Sequence, residues 1–344
     1  MVETINKELT KADSRMIQGL SVMAMLILHL FDRLDYEGLY TPLFYLNGIP
    51  LSYYFGQLSD FCVMGFAFCS GYAHMKLFHV EGAFYRNRLK SMARLMLRFW
   101  IILLLVSLVG FITGEENIPD SLKRFLGNAF LYDITYCGAW WYLYAYFAIV
   151  LISPAVLRFI RRFPSIVVLC VGGLLYCGAY YLRFRCSFSD LFFSKLGPIG
   201  MTLFEYSLGC LFYKEKLFSS LFILWGRMRT AFRAALACLS VLILLVTRTQ
   251  LAPSLFFAPA SGLILISLFH FWNKPEPIRR LFTFLGKHST NIWLTHMFFY
   301  LYVYVDLVYA AKYPPLILAL MLCITCALSC LLRPIQNAAV RWIS

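Results

Sequence analysis

The 344-residue chain predicts an all-α integral membrane protein, a bundle of about ten transmembrane helices with both termini cytoplasmic. Three observations carry this reading. Hydrophobic residues make up 61% of the chain and charged residues 14%, which is more apolar surface than a soluble core of this length can bury. The apolar residues fall into runs of about 20, the length that crosses a hydrocarbon layer ~30 Å thick. Lysine and arginine gather in alternate connections between the runs.

The polar leader, residues 1–15, has no charged n-region, short apolar core and small-residue cleavage site, so the first run is kept as a helix. Spans follow at 16–33, 50–77, 93–112, 138–159, 164–182, 196–213, 231–250, 254–272, 285–309 and 314–333, with a short cytoplasmic tail at 334–344. Pro119, Pro164, Pro253, Pro275, Pro277, Pro314 and Pro315 punctuate the joints. No linker is long enough to divide the chain, so 16–333 reads as one transmembrane domain. Residues 122–131 could form a short helix at the interface, too short to cross. No fixed internal period is visible, which counts against a duplicated carrier architecture.

The span count can be tested by charge. With the leader in the cytoplasm and span-end residues assigned to the nearest connection, 23 of the 31 lysines and arginines fall on the cytoplasmic side. Asp32, Asp35, Glu37, Glu115, Glu116 and Asp120 fall on the other. The net charge of +14 is scattered between apolar runs rather than gathered in a soluble patch, so it reads as a topology signal and no nucleic-acid partner is expected. The eleven cysteines lack zinc-site spacing. Cys323, Cys326 and Cys330 share a helical face but have no His or carboxylate beside them, so packing is expected there and no metal.

Ionisable side chains inside spans are costly and therefore functional candidates. His29 lies ~20 Å into the first span and His296 ~16 Å into the ninth, entering from the cytoplasmic side. Asp60 and Glu205 enter their spans from the opposite face, each ~15 Å deep. The four depths converge, as a buried acid/base site requires. The bland alternative for each is a hydrogen bond between helices. His74, His79, His270 and His288 lie near span ends, where interfacial roles are commoner. The aromatic residues around Trp140, Trp141, Tyr142, Tyr144 and Tyr146 fit an interfacial belt.

Arg86, Arg88, Lys90, Arg94 and Arg98 form the densest basic cluster, and Lys90, Arg94 and Arg98 would make one stripe on a helix. Such a stripe suits phosphate groups, or equally a positive-inside anchor on anionic lipid.

Four segments in order resemble acyltransferase family 3, the membrane enzymes that include bacterial polysaccharide O-acetyltransferases. In the first span, His29 matches the family's histidine, while Gln18 stands at the usual arginine position and Arg15 lies three residues earlier. Phe68-Cys69-Ser70-Gly71-Tyr72 is similar to the family's Ser-Gly-Tyr segment, which precedes a basic cluster. Trp140-Trp141-Tyr142-Leu143 looks like its Trp-rich span opening, and 289–296 resembles its late helix ending in histidine.

The resemblance implies a plasma-membrane, multi-pass enzyme, bacterial by the family's usual source. It would move an acyl group, acetyl first among them, from cytoplasmic acyl-CoA to a hydroxyl of a glycan or lipid-linked sugar. No permanently bound cofactor is implied, since acyl-CoA is a substrate. His29 would be general base, with Asp60, Glu205 and His296 completing the catalytic set. Arg86, Arg88, Lys90 and Arg94 would hold acyl-CoA; Arg15, Gln18, Ser70, Tyr72 and Trp141 would contact substrate or the oxyanion. No fused extracytoplasmic hydrolase domain is expected, so the acceptor enters the bundle or an extracytoplasmic partner relays the acyl group. A transporter or flippase with a proton relay, and a non-catalytic sensory domain, are the alternatives.

Overall fold

A computed structural model describes residues 7–187, 191–247 and 255–343 of the chain. The helices, in order, are α1 (Lys11–Phe31), α2 (Leu51–Leu58), α3 (Cys62–Leu77), α4 (Glu81–Thr113), α5 (Leu122–Ala129), α6 (Trp141–Arg162) and α7 (Ser165–Arg185). They continue as α8 (Leu191–Lys214), α9 (Leu217–Arg227), α10 (Thr230–Val246), α11 (Ala258–Phe271), α12 (Glu276–Phe298), α13 (Val305–Tyr309) and α14 (Pro314–Val340). A small antiparallel hairpin, β1 (Tyr45–Leu46) and β2 (Ile49–Pro50), turns through Asn47 and Gly48, both at positive φ. That is the type I′ geometry an Asn-Gly pair favours.

Among the described residues, five helices are long and apolar enough to cross a membrane: α1, α4, α6 with its preceding turn, α7 and α14. The shorter apolar helices α9, α10 and α11 add to the bundle. Apolar side chains also cover its outside, including Leu104, Leu108 and Phe111 on α4, Leu174 on α7 and Leu331 on α14. A surface of this kind is stable only against lipid, and the chain is a multi-pass membrane protein.

Several boundaries depart from expectation for local reasons. Helix α4 begins at Glu81, twelve residues before the expected span start, because the basic segment 86–98 contains no breaker and carries the helix on. Its far end is closed by Gly114 in the left-handed conformation, φ 73°. Pro275 and Pro277 initiate α12 rather than interrupt it, since proline lacks only an N–H that a first helical turn leaves unpaired anyway. Residues 50–77 are not one helix, because a 3-10 turn at Ser59–Phe61 separates α2 from α3. Residues 122–129 form the short helix α5, as expected, whereas α9 occupies a stretch expected to be a connection. Pro253 lies outside the described residues.

Two glycine-locked helix pairs organise the core. A Cβ at Gly19 of α1 would collide with the Phe282 carbonyl of α12, and one at Gly286 with the Arg15 carbonyl. A Cβ at Gly71 of α3 would likewise strike the Tyr206 carbonyl of α8, and one at Gly209 the Phe68 carbonyl. In both pairs the backbones touch, which only the smallest residue allows. Gly65 of α3 sits against Ser21 of α1 and joins the two pairs. The close approach of Arg15 to Gly286, with the His29 and His296 rings meeting ten residues beyond Gly19 and Gly286, runs α1 and α12 the same way, their starts at the leader end of the bundle and their last turns at the other.

Candidate active site

The paired helices α1 and α12 end together, and each carries a histidine in its last turn. The His29 and His296 rings lie 5.0 Å apart between centroids. His296 is fully buried, and its Nδ1–H donates to the Trp293 carbonyl at 2.7 Å. That bond leaves Nε2 as the lone-pair nitrogen of a neutral ring, buried and without a hydrogen-bond partner among the described residues. A five-residue π turn, Phe299–Val303, follows α12 and swings Tyr300 against both rings, 6.4 Å from His29 and 6.0 Å from His296.

His29 lines a cavity of about 550 Å³ that runs towards the end away from the leader, where Asp32 and Gln57 form part of its wall. Gln57 donates to Asp32 and ties α2 to the end of α1. Asp60, on the 3-10 turn, and Glu205, midway along α8, line the same cavity and are both buried. Trp141, Tyr142 and Trp293 supply aromatic walls, with the Tyr142 and Trp293 rings 5.5 Å apart and edge to face. The Tyr142 hydroxyl and Glu205 Oε2 are buried without hydrogen-bond partners among the described residues, so polar capacity points into the space. The Arg183 guanidinium enters the wall 4.7 Å from the Trp141 ring centroid, within electrostatic reach of Glu205.

Of the residues expected to be catalytic, His29, Asp60 and Glu205 therefore share one cavity, and His296 backs His29. Trp141 lines it as well. Ser70 and Tyr72 do not: the Ser70 hydroxyl donates to the Phe66 carbonyl at 2.9 Å, and Tyr72 donates to Glu8. Tyr72 Oη also accepts from the Leu9 amide at 3.1 Å, and Glu8 accepts from Ser219, so this tyrosine fastens the leader to α3 and α9. Arg15 and Gln18 lie half-buried near the start of α1, away from the cavity lining.

The basic cluster is divided by helical geometry. Arg88 faces α3 and α8, where its Nη1 approaches His74 Nε2 at 3.4 Å and His74 Nδ1 meets the Tyr206 hydroxyl at 2.9 Å. Arg94, six residues on, points to a different face of α4, and Arg86 and Lys90 are exposed. None of the four lines the cavity.

A family model described as "Acyltransferase domain" matches residues 13–333, nearly the whole chain. The chain belongs to this acyltransferase 3 family. No curated protein and no solved structure gives a significant match. The match covers both glycine-locked pairs and every cavity residue named above, so the membrane acyltransferase domain and the cavity are one unit.

Residues that sequence reasoning missed in this acyltransferase are Tyr142, Trp293, Tyr300 and Arg183. Tyr142 fits the interfacial belt by its neighbours, and Arg183 falls one residue past the expected span 164–182. Trp293 lies inside the 289–296 segment without being singled out. The signal that finds Tyr300 is its spacing of four residues from His296, one turn along the same helical face.

Proposed function

We propose that the protein transfers an acyl group, acetyl in the first instance, from cytoplasmic acyl-CoA to a hydroxyl of a glycan or lipid-linked sugar, with His29 as general base. The observation that carries this reading is His29, its ring paired with that of His296, at the wall of a cavity that also holds Asp60, Glu205 and the rings of Trp141, Tyr142 and Trp293. Aromatic walls with a few convergent polar groups suit a sugar, whose rings present apolar faces and hydroxyl edges. On the positive-inside argument the leader end is cytoplasmic, so the acceptor enters past Asp32 and Gln57, and the donor reaches His29 from the side of Arg88.

In the first step neutral His29 takes the proton from the acceptor hydroxyl as its oxygen attacks the thioester carbonyl carbon. The Tyr142 hydroxyl, unpaired and facing the cavity, donates to the oxygen on which negative charge collects. Collapse re-forms the carbonyl and breaks the C–S bond. The departing thiolate takes the proton from the His29 imidazolium, which restores the base and releases CoA as the thiol. His296, held by the Trp293 carbonyl, packs its ring against that of His29 at 5.0 Å between centroids and so limits how the reacting ring can turn. Asp60 or Glu205, which line the same cavity, is the carboxylate to stabilise the imidazolium.

The test is turnover of radiolabelled acetyl-CoA by the purified protein in lipid with a panel of glycan acceptors. His29→Ala lowers kcat by about 10²-fold or more, the usual weight of a general base, with thermal melting unchanged. Arg88→Ala raises KM for the donor. Full activity in a folded His29→Ala protein removes the proposed base. Absence of acyl-CoA turnover and labelling with all acceptors favours transport or sensing.

A further inference from the structure

The end of the cavity away from the leader holds a cation that the steps above leave unused. Tyr180, Arg183 and Phe184 line it from the last turns of α7, at the i, i+3, i+4 spacing of one helical face. Apart from His29, Arg183 is the only basic side chain of the lining among the described residues. Its guanidinium lies over the Trp141 ring at 4.7 Å from the centroid and over the Phe184 ring at 5.2 Å. Ring faces attract its charge but offer no lone pair to its N–H donors. Among the described residues it forms no ion pair, and Glu205 acts on it electrostatically without touching it.

The backbone fixes where this side chain starts. A Cβ at Gly197 of α8 would meet the Arg183 Cβ at 2.7 Å and the Ala179 carbonyl oxygen at 2.9 Å, and one at Gly200 would meet the Ala179 Cβ at 2.6 Å. Helices α7 and α8 are therefore in close contact at the root of the arginine. Trp141, against the guanidinium, follows Trp140, whose Nε1–H donates to the Leu294 carbonyl at 3.0 Å near the end of α12. Arg183 accordingly sits at the end of the bundle where His29 and His296 meet. Phe184 lines the cavity and is also 44% exposed, and Tyr181, three residues before it, is 60% exposed. The arginine thus stands where the cavity borders the lipid-facing side of α7.

A sugar that carries hydroxyls alone has no use for a half-buried guanidinium, whose lost hydration only a strong acceptor replaces. Asp32, Asp60 and Glu205 come to the lining from other elements, so a negative group held on Arg183 is kept apart from theirs and leaves a hydroxyl free to meet His29. We propose that Arg183 sets acceptor specificity by binding an anionic group, carboxylate or phosphate, at the lipid-facing edge of the cavity. The inference rests on the acyl-transfer reading only in calling the bound molecule an acceptor. A planar fork takes two oxygens of either anion. Two sources offer one: the carboxylate of a uronic acid within the glycan, and the phosphate that joins a sugar to a lipid carrier.

The experiment uses the full chain in phosphatidylcholine nanodiscs and measures binding by saturation-transfer NMR titration of three probes: methyl β-glucoside, methyl β-glucuronide and glucose 1-phosphate. Wild type is expected to bind an anionic probe about tenfold more tightly than the glucoside, the scale of one charge-assisted contact. Arg183→Gln abolishes that preference and leaves glucoside binding unchanged, whereas Arg183→Lys, with the charge but not the fork, retains part of it. Selection of the glucuronide identifies a uronic acid, and selection of glucose 1-phosphate identifies a lipid-carried sugar. No preference or no binding in wild type, a preference that survives in Arg183→Gln, or equal weakening of all three probes by that change, as a merely structural partner of Glu205 would give, overturns the proposal. Arg183→Met is carried in parallel, with a thermal melt on each protein, so that misfolding of one variant does not decide the outcome. Anion preference without acyl transfer would sink the enzymatic reading and keep this site, while transfer to neutral acceptors without anion preference would do the reverse.

Discussion

At the scale of single residues, the site turns on a buried imidazole with an unused nitrogen. His296→Gln keeps a donor for the Trp293 carbonyl but changes what faces His29, so the expected outcome is a fall in kcat with KM little altered. A rate loss confined to kcat checks it, read against an unchanged melting temperature. Tyr142→Phe removes the unpaired hydroxyl and leaves the ring against Trp293, and we expect kcat to fall by about 10²-fold if that hydroxyl meets the oxyanion. Away from the chemistry, Asn291→Leu strands the Gln336 amide in a buried layer and should cost about 1–3 kcal/mol, visible as a lowered melting temperature. The ionisable members of the site were legible in the sequence because a charge inside an apolar run has few bland explanations. Tyr142 and Tyr300 were not, since in a chain with 22 tyrosines and 32 phenylalanines one more aromatic residue carries no signal.

At the scale of elements, the glycine contacts decide where the histidines meet. Gly286→Val drives a branched side chain into the Arg15 carbonyl and must separate α1 from α12. Overpacking of this sort costs about 1–3 kcal/mol, and the expected outcome is lost activity exceeding the loss of folded protein, because His29 and His296 move apart. Comparing specific activity with the folded fraction from gel filtration checks it. The helix periods were readable from apolar runs, but the break at Ser59–Phe61 was not, because Leu58-Ser59-Asp60-Phe61 contains neither glycine nor proline. The early start of α4 was equally hidden. A hydropathy run ends where charge begins, whereas a helix continues until something stops it.

At the scale of the molecule, the sequence made the class plain and left the assembly open. Apolar content and run length identify a membrane bundle from composition alone. Which helices touch depends on small residues that composition does not rank, such as Gly71 against Tyr206 and Gly209 against Phe68. The Asn47-Gly48 turn places a hairpin beyond α1, at the end to which the cavity runs. Orientation follows as a prediction: a reporter fused after Gly114 should score as extracytoplasmic and one fused after Ser344 as cytoplasmic. Opposite scores would reverse the faces from which donor and acceptor enter.

The backbone contact between α1 and α12 also bears on how the enzyme tolerates its solvent. Helices that meet through long side chains can slide or splay when bilayer thickness changes, and each ångström of hydrophobic mismatch costs a fraction of a kcal/mol. Gly19 and Gly286 leave no such compliant layer, so a thinner or thicker membrane tilts the pair as one body and keeps the imidazole spacing constant. Activity should therefore vary little across phosphatidylcholines of graded acyl-chain length.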